Sequence, residues 1–254
     1  MFFHAIPLYS RILFIGITAL ECFLAIMLLR WDAWKRYPVM SAYLTLQGFG
    51  TLAALLMARF GAAMPYFYTY FATTFFLNLI AFAVALELYY KIFDPKFGFS
   101  AWRPRHVVIM ISVSVGVAIT LGFLFAARNG GSLTRTMMTL EEIMNVALWA
   151  TFCTLCLYSR SLGFIWRPRV AGIAMGFIFY LTVTVICRFI AMRFSFSAGM
   201  IANQVSPAAE FLTIAWWLGV FWGEEKLPQA SVSELVEQTL VKYTATVEEA
   251  SRQV

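Results

Sequence analysis

Eight residues that carry charge or an amide fall inside long apolar runs of this sequence, and they divide by depth into two sets. Glu21, Gln47 and Asn78 lie near the middle of the first three runs, whereas Glu141, Glu142, Asn145, Arg188 and Glu210 lie toward the outer ends of the last three. An ionisable side chain in hydrocarbon is costly, so it turns to the interior of a helical bundle and takes a partner there. The first set offers carboxyl and amide groups only. That chemistry suits a proton or small-cation site, or else a lone protonated carboxyl held by hydrogen bonds. The second set combines one guanidinium with three carboxyls. It predicts that Arg188 pairs with Glu210 or with the Glu141/Glu142 pair, within about 6 Å. It also predicts an outward-facing polar pocket for a small charged ligand, against the simpler alternative that these groups neutralise one another and hold helices together. Glu87, four residues before Lys91, is expected to form an interfacial ion pair with it.

Other constellations narrow the chemistry. Cys153-Thr154-Leu155-Cys156 has the C-x-x-C spacing, but no second pair is present to exchange with it, so the two read as small buried residues. The only histidines are His4 and His106, expected on opposite sides of a membrane, which argues against a zinc site or a Ser-His-Asp triad. There is no Gly-rich phosphate loop. The last apolar run has no Lys for a retinal Schiff base. The expectation is therefore no catalytic residue, no metal, no cofactor and no enzyme activity.

The elements that position these groups are written in composition and punctuation. The 254 residues are 61% hydrophobic and only 13% charged. A soluble domain carries about 25% charged residues, so lipid must solvate much of this chain. Trp102-Arg103-Pro104-Arg105 returns as Trp166-Arg167-Pro168-Arg169, with a looser copy in Trp34-Lys35-Arg36-Tyr37-Pro38. Each copy precedes an apolar run. Trp suits the headgroup level, basic residues favour the cytoplasmic side, and Pro suits the first turn of a helix. Seven spans follow, at about 12–29, 38–58, 66–90, 107–127, 138–158, 170–191 and 206–222. Small residues recur at every fourth position in Gly50, Ala54 and Ala58, in Ser112, Gly116 and Thr120, and in Gly172 and Gly176, a spacing that lets helices approach closely in lipid.

Most basic loop residues, from Arg30 through Lys91 to Arg169, fall on one side of these spans, which predicts an N-terminus outside and a C-terminus in the cytoplasm. The net charge of +6 is this topology signal, not a nucleic-acid groove. The repeated corners fit one leading helix with three duplicated hairpins, a three-plus-one-plus-three arrangement, or convergence on one punctuation.

The expected architecture is all-α: a polytopic membrane protein with a seven-helix domain over residues 1–222 and a cytoplasmic tail over 223–254. In the tail, Ser231 and Glu234 form a capping box. Apolar residues then recur at helical spacing with an acidic polar side, which predicts a helix over 231–251 that meets a cytoplasmic protein or a second copy of the chain. Membrane lipid is the other expected partner, in a plasma (inner) membrane. The functional expectation is a membrane sensor or interaction module. The alternative is a small-solute or ion transporter or channel using Glu21, Gln47, Asn78 and Glu210.

Overall fold

The computed structural model describes residues 8–30, 33–59, 63–93, 133–161, 166–193 and 196–222, with six further residues between 108 and 120. The helices are α1 (Leu8–Arg30), the single turn α2 (Ala33–Arg36), α3 (Pro38–Arg59), α4 (Ala63–Ile92), α5 (Leu133–Ser161), α6 (Pro168–Arg193) and α7 (Phe196–Trp222). All described secondary structure is helical, and six of these helices are long and apolar enough to cross a membrane. The protein is an α-helical, multi-pass membrane bundle. The span expected at 107–127 and the tail helix expected at 231–251 lie largely or wholly outside the described residues. Ser112, Gly116 and Thr120 are described and exposed, and among the described residues nothing lies within 4 Å of a Cβ on Gly116.

Two of the Trp–Pro corners are described, and each starts a helix as its residues dictate. α3 begins at Pro38 and α6 at Pro168, where a missing N–H costs nothing. At the first corner the Tyr37 N–H donates to Ala33 O at 2.8 Å and Tyr37 O accepts from the Ser41 N–H at 3.0 Å, so Tyr37 links α2 to α3. The Met40 N–H, one of the orphan donors of the α3 N-terminus, is met by Glu87 Oε2 at 3.0 Å. Glu87 is thus a cap supplied by α4, and it also lies within electrostatic reach of Lys91, the partner expected for it. Lys91 itself donates to Arg36 O and lies over the Tyr37 ring, 4.5 Å from its centroid. At the second corner Trp166 Nε1 donates to Ser159 Oγ at 2.7 Å, tying the start of α6 to the end of α5.

Contacts along the seams give the direction of every long helix. α3 and α4 are antiparallel, with Met40 beside Glu87 and Gly50 beside Thr73. α5 and α6 are antiparallel, through Trp149 Nε1 donating to Thr182 Oγ1 at 2.9 Å. In α6 and α7, a Cβ on Gly172 or Gly176 would overlap Val220 or Trp217. Trp216 Nε1 donates to Gly172 O at 2.9 Å across the same seam. The glycines predicted for close approach therefore serve it at Gly50, Gly172 and Gly176. α4 and α5, by contrast, run parallel: Phe93 meets Tyr158 at one end, and Tyr70 Oη meets Glu141 near the other.

The six long helices close into a ring in the order α1, α3, α4, α5, α6, α7, with α7 back against α1. Across the ring α3 meets α7 and α4 meets α6. Exchanging α1, α3 and α4 for α5, α6 and α7 leaves these neighbour relations unchanged, so the ring divides into two three-helix halves with the same order of neighbours. The surface is inverted relative to a water-soluble bundle. α1 turns Ile12, Ile15, Phe23 and Ile26 outward while Ile17, Glu21, Leu24 and Leu28 form its buried stripe. Lipid is as apolar as a protein core, so polarity is free to collect inside.

Candidate functional site

Among the buried polar side chains of the six long helices, Thr18, Ser41, Thr151, Ser159 and Thr213 bond their own helix backbone, and the carboxyl and amide groups gather at one level. There α1 contributes Glu21, α3 Gln47, α4 Asn78, α5 Asn145, α6 Thr184 and α7 Glu210. Gln47 Nε2 donates to Glu210 Oε1 at 2.9 Å, joining α3 to α7 across the ring. Glu21 stands beside the next residue of α3: a Cβ on Gly48 would lie 3.5 Å from Glu21 Cβ. The α3–α4 pairings put Asn78 opposite Gln47. The α5–α6 pairings put Asn145 opposite Thr184. The α6–α7 seam brings Thr184 to within about one turn of Glu210. The result is a polar belt with one member from each long helix.

This belt is dry and incompletely bonded. Glu21 is 0% exposed, and Gln47, Asn78, Asn145 and Thr184 are buried with it. Both carboxyl oxygens of Glu21, Gln47 Oε1, Asn78 Nδ2 and Thr184 Oγ1 are enclosed without a hydrogen-bond partner. Enclosed polar atoms are nearly always bonded in folded proteins, so five in one layer make this the candidate site.

One to two turns toward the Trp–Pro end the interior is aromatic. Phe152 and Phe177 stack at 4.6 Å, Phe177 meets Trp217 at 4.8 Å, and Tyr43 lies edge-on to Phe177 at 5.2 Å. These four rings come from α3, α5, α6 and α7 and close the floor of the belt. Toward the opposite end polarity continues outward. Arg188 Nη2 lies 3.4 Å from Glu141 Oε1, and Tyr70 Oη donates to the same oxygen at 3.4 Å. The Arg188 side chain is 35% exposed and that of Glu141 10%, so this cluster opens toward solvent. Glu142, half-buried, lies within electrostatic reach of Arg188.

The pairing of Arg188 with a nearby carboxylate follows the sequence-based expectation. The grouping does not. Glu210 and Asn145 were expected with Arg188, and both belong to the belt. The reason is the length of α7. The segment before Ser206 is rich in polar residues and was expected to be an outer loop, but α7 starts at Phe196 and carries Pro207 within it. Glu210 therefore lies mid-helix, level with Gln47. Thr184 was missed altogether, because a threonine in an apolar run commonly bonds its own helix backbone, as Thr182 does to Ile178 O at 2.6 Å. The aromatic floor was also missed, since its rings come from separate runs.

No protein-family model, no curated protein and no solved structure matches this chain.

Proposed function

We propose that the protein is a small-solute or ion transporter whose central site is the polar belt, reached from the side opposite the Trp–Pro corners. The observation that carries this reading is the hydrogen bond of Gln47 to Glu210 beside the wholly enclosed, unbonded carboxyl of Glu21. It lies between an aromatic floor on one side and a polar, part-exposed cluster on the other. In transporters built from parallel repeats, sites lie near the bilayer midplane where the repeats meet. The two three-helix halves meet at this belt.

The chain in this reading crosses a plasma (inner) membrane seven times. Because α4 and α5 run parallel, the chain must travel back along the bundle between them. The apolar run 107–127 is long enough, at about 1.5 Å per residue, to do so. Arg30, Lys35, Arg36, Lys91, Arg160, Arg167 and Arg169 gather at the Trp–Pro end, which makes that end cytoplasmic. The N-terminus is then outside and the tail 223–254 inside, where its acidic helix would serve a protein partner or a second copy. The sensor reading rests on that tail, which lies outside the described residues, so the geometry favours transport.

The test is aqueous access. Single cysteines replace Gln47, Asn78, Asn145 or Glu210 in a chain lacking its four native cysteines, and a charged thiol reagent is added to one side at a time. Reaction from the side opposite the Trp–Pro corners is expected at these positions, with protection at Phe152 and Phe177. If no belt position reacts from either side, transport through the belt is untenable.

A further inference from the structure

We infer that the acidic half of the belt, Glu21 with Gln47 and Glu210, binds one small dehydrated monovalent cation of the sodium class. This inference rests on the ion-handling reading above and adds the ligand to it.

The donor inventory points to a cation. Gln47 uses its Nε2 on Glu210, so its Oε1 is left as a spare acceptor. The two oxygens of Glu21 make no hydrogen bond of good geometry, with Thr51 and Gln47 their polar neighbours, so three enclosed acceptors collect in this half of the belt. The unbonded donors, Asn78 Nδ2 and the Thr184 hydroxyl, belong to α4 and α6. Acceptors in excess of donors are what a metal ion satisfies and a neutral ligand rich in hydroxyls does not need. Belt members are carboxyl, amide and hydroxyl groups, and the guanidinium nearest along α6, that of Arg188, is already engaged by Glu141. A carboxyl in a buried layer is either protonated or met by a counter-charge, and the belt side chains offer no cation for the second.

The class of cation follows from hardness and hydration. Oxygen donors exclude the soft, thiolate- and imidazole-seeking metals. Magnesium retains several waters, which a layer where Glu21 is 0% exposed does not admit. Calcium takes about six to eight oxygens, more than these three side chains present. A monovalent ion stripped of water suits the enclosure, and it balances the charge with one of the two carboxyls, Glu21 or Glu210, protonated.

The division into halves sets the stoichiometry. Under the exchange of halves, Glu21 maps near Asn145, Gln47 near Thr184, and Glu210 near Asn78. The second half thus carries amides and a hydroxyl where the first carries carboxyls, so one cation binds per chain.

The experiment uses full-length protein in detergent, with thermal unfolding followed in sodium, potassium, lithium or choline chloride at fixed ionic strength. The midpoint is expected to rise with sodium along a single-site curve and to stay flat in choline. Glu21→Gln is expected to fold and to lose the sodium response, while Glu142→Gln, in the outer cluster, keeps it. Sodium-23 NMR of the wild-type protein gives a measure that needs no variant: the line should broaden on adding protein and sharpen as lithium competes. A flat sodium curve with an unbroadened line, or an equal sodium response in Glu21→Gln, overturns the inference. A silent sodium arm with thiol-reactive belt cysteines removes the ligand and leaves the path; unreactive cysteines at every belt position remove the path itself.

Discussion

Glu141 and Glu21 are both carboxyls on the inward side of a long helix in the same bundle, yet they meet opposite fates. Glu141 accepts from Tyr70 and pairs with Arg188, near the end of the bundle and partly in reach of water. Glu21 sits a few turns deeper, sealed above Tyr43 and Phe177, with neither oxygen bonded. The first carboxyl is a structural group completed by the chain. The second is left without a bond of good geometry, and on the reading proposed above a cation completes it. The lesson is that the share of function in a buried charge is read from what remains unsatisfied, not from the charge itself.

The contrast is broken most forcefully at Arg188. Arg188→Ala leaves Glu141 without its cation; because Arg188 is partly exposed, water offsets some of the loss, and the expected cost is about 2 kcal/mol. Thermal unfolding checks this, and Arg188→Ala with Glu141→Gln together should recover most of the difference. A smaller effect is expected from Gln47→Leu, which strands the Glu210 carboxyl and should cost about 1–2 kcal/mol in the same assay.

Glu21→Gln sharpens the comparison by its sign. It replaces a buried carboxyl that lacks a bond of good geometry by a permanently neutral amide, so in sodium-free buffer it should stabilise the protein, by about 1 kcal/mol. A loss of stability instead would mean that Glu21 is completed within the chain after all. The smallest effect belongs to Glu87→Gln. An amide oxygen still accepts from the Met40 N–H, so only the charge at the α3 N-terminus is lost, about 0.5 kcal/mol.

The parts of this architecture legible in the sequence are those with local causes. Pro38 and Pro168 announce helix starts because proline constrains its own backbone. Gly172 and Gly176 announce a close seam because they lack side chains, and the seam is there against Val220 and Trp217. Arg188 required a carboxylate, and few were in reach. What stayed illegible depends on which helices become neighbours. Gln47 and Glu210 are 163 residues apart, and nothing in either run names the other. The depth of Glu210 was also misjudged, because α7 continues through a stretch whose polar residues and Pro207 resemble a turn. Proline is tolerated inside membrane helices when neighbours satisfy the carbonyl it leaves free. Glu87 as a cap for α3 was hidden for the same reason: capping was sought beside the helix in sequence, and it came from α4.

The ring closes where α7 meets α1, the last long helix against the first. A ribosome delivers α1 to the bilayer long before α7 exists. Throughout that interval the nascent chain holds Glu21 without the helix that will wall it off, and an intramembrane carboxyl facing lipid is costly. Polypeptides stopped short of residue 196 therefore lack the helix that covers this acidic flank, and only a chain that reaches α7 conceals it.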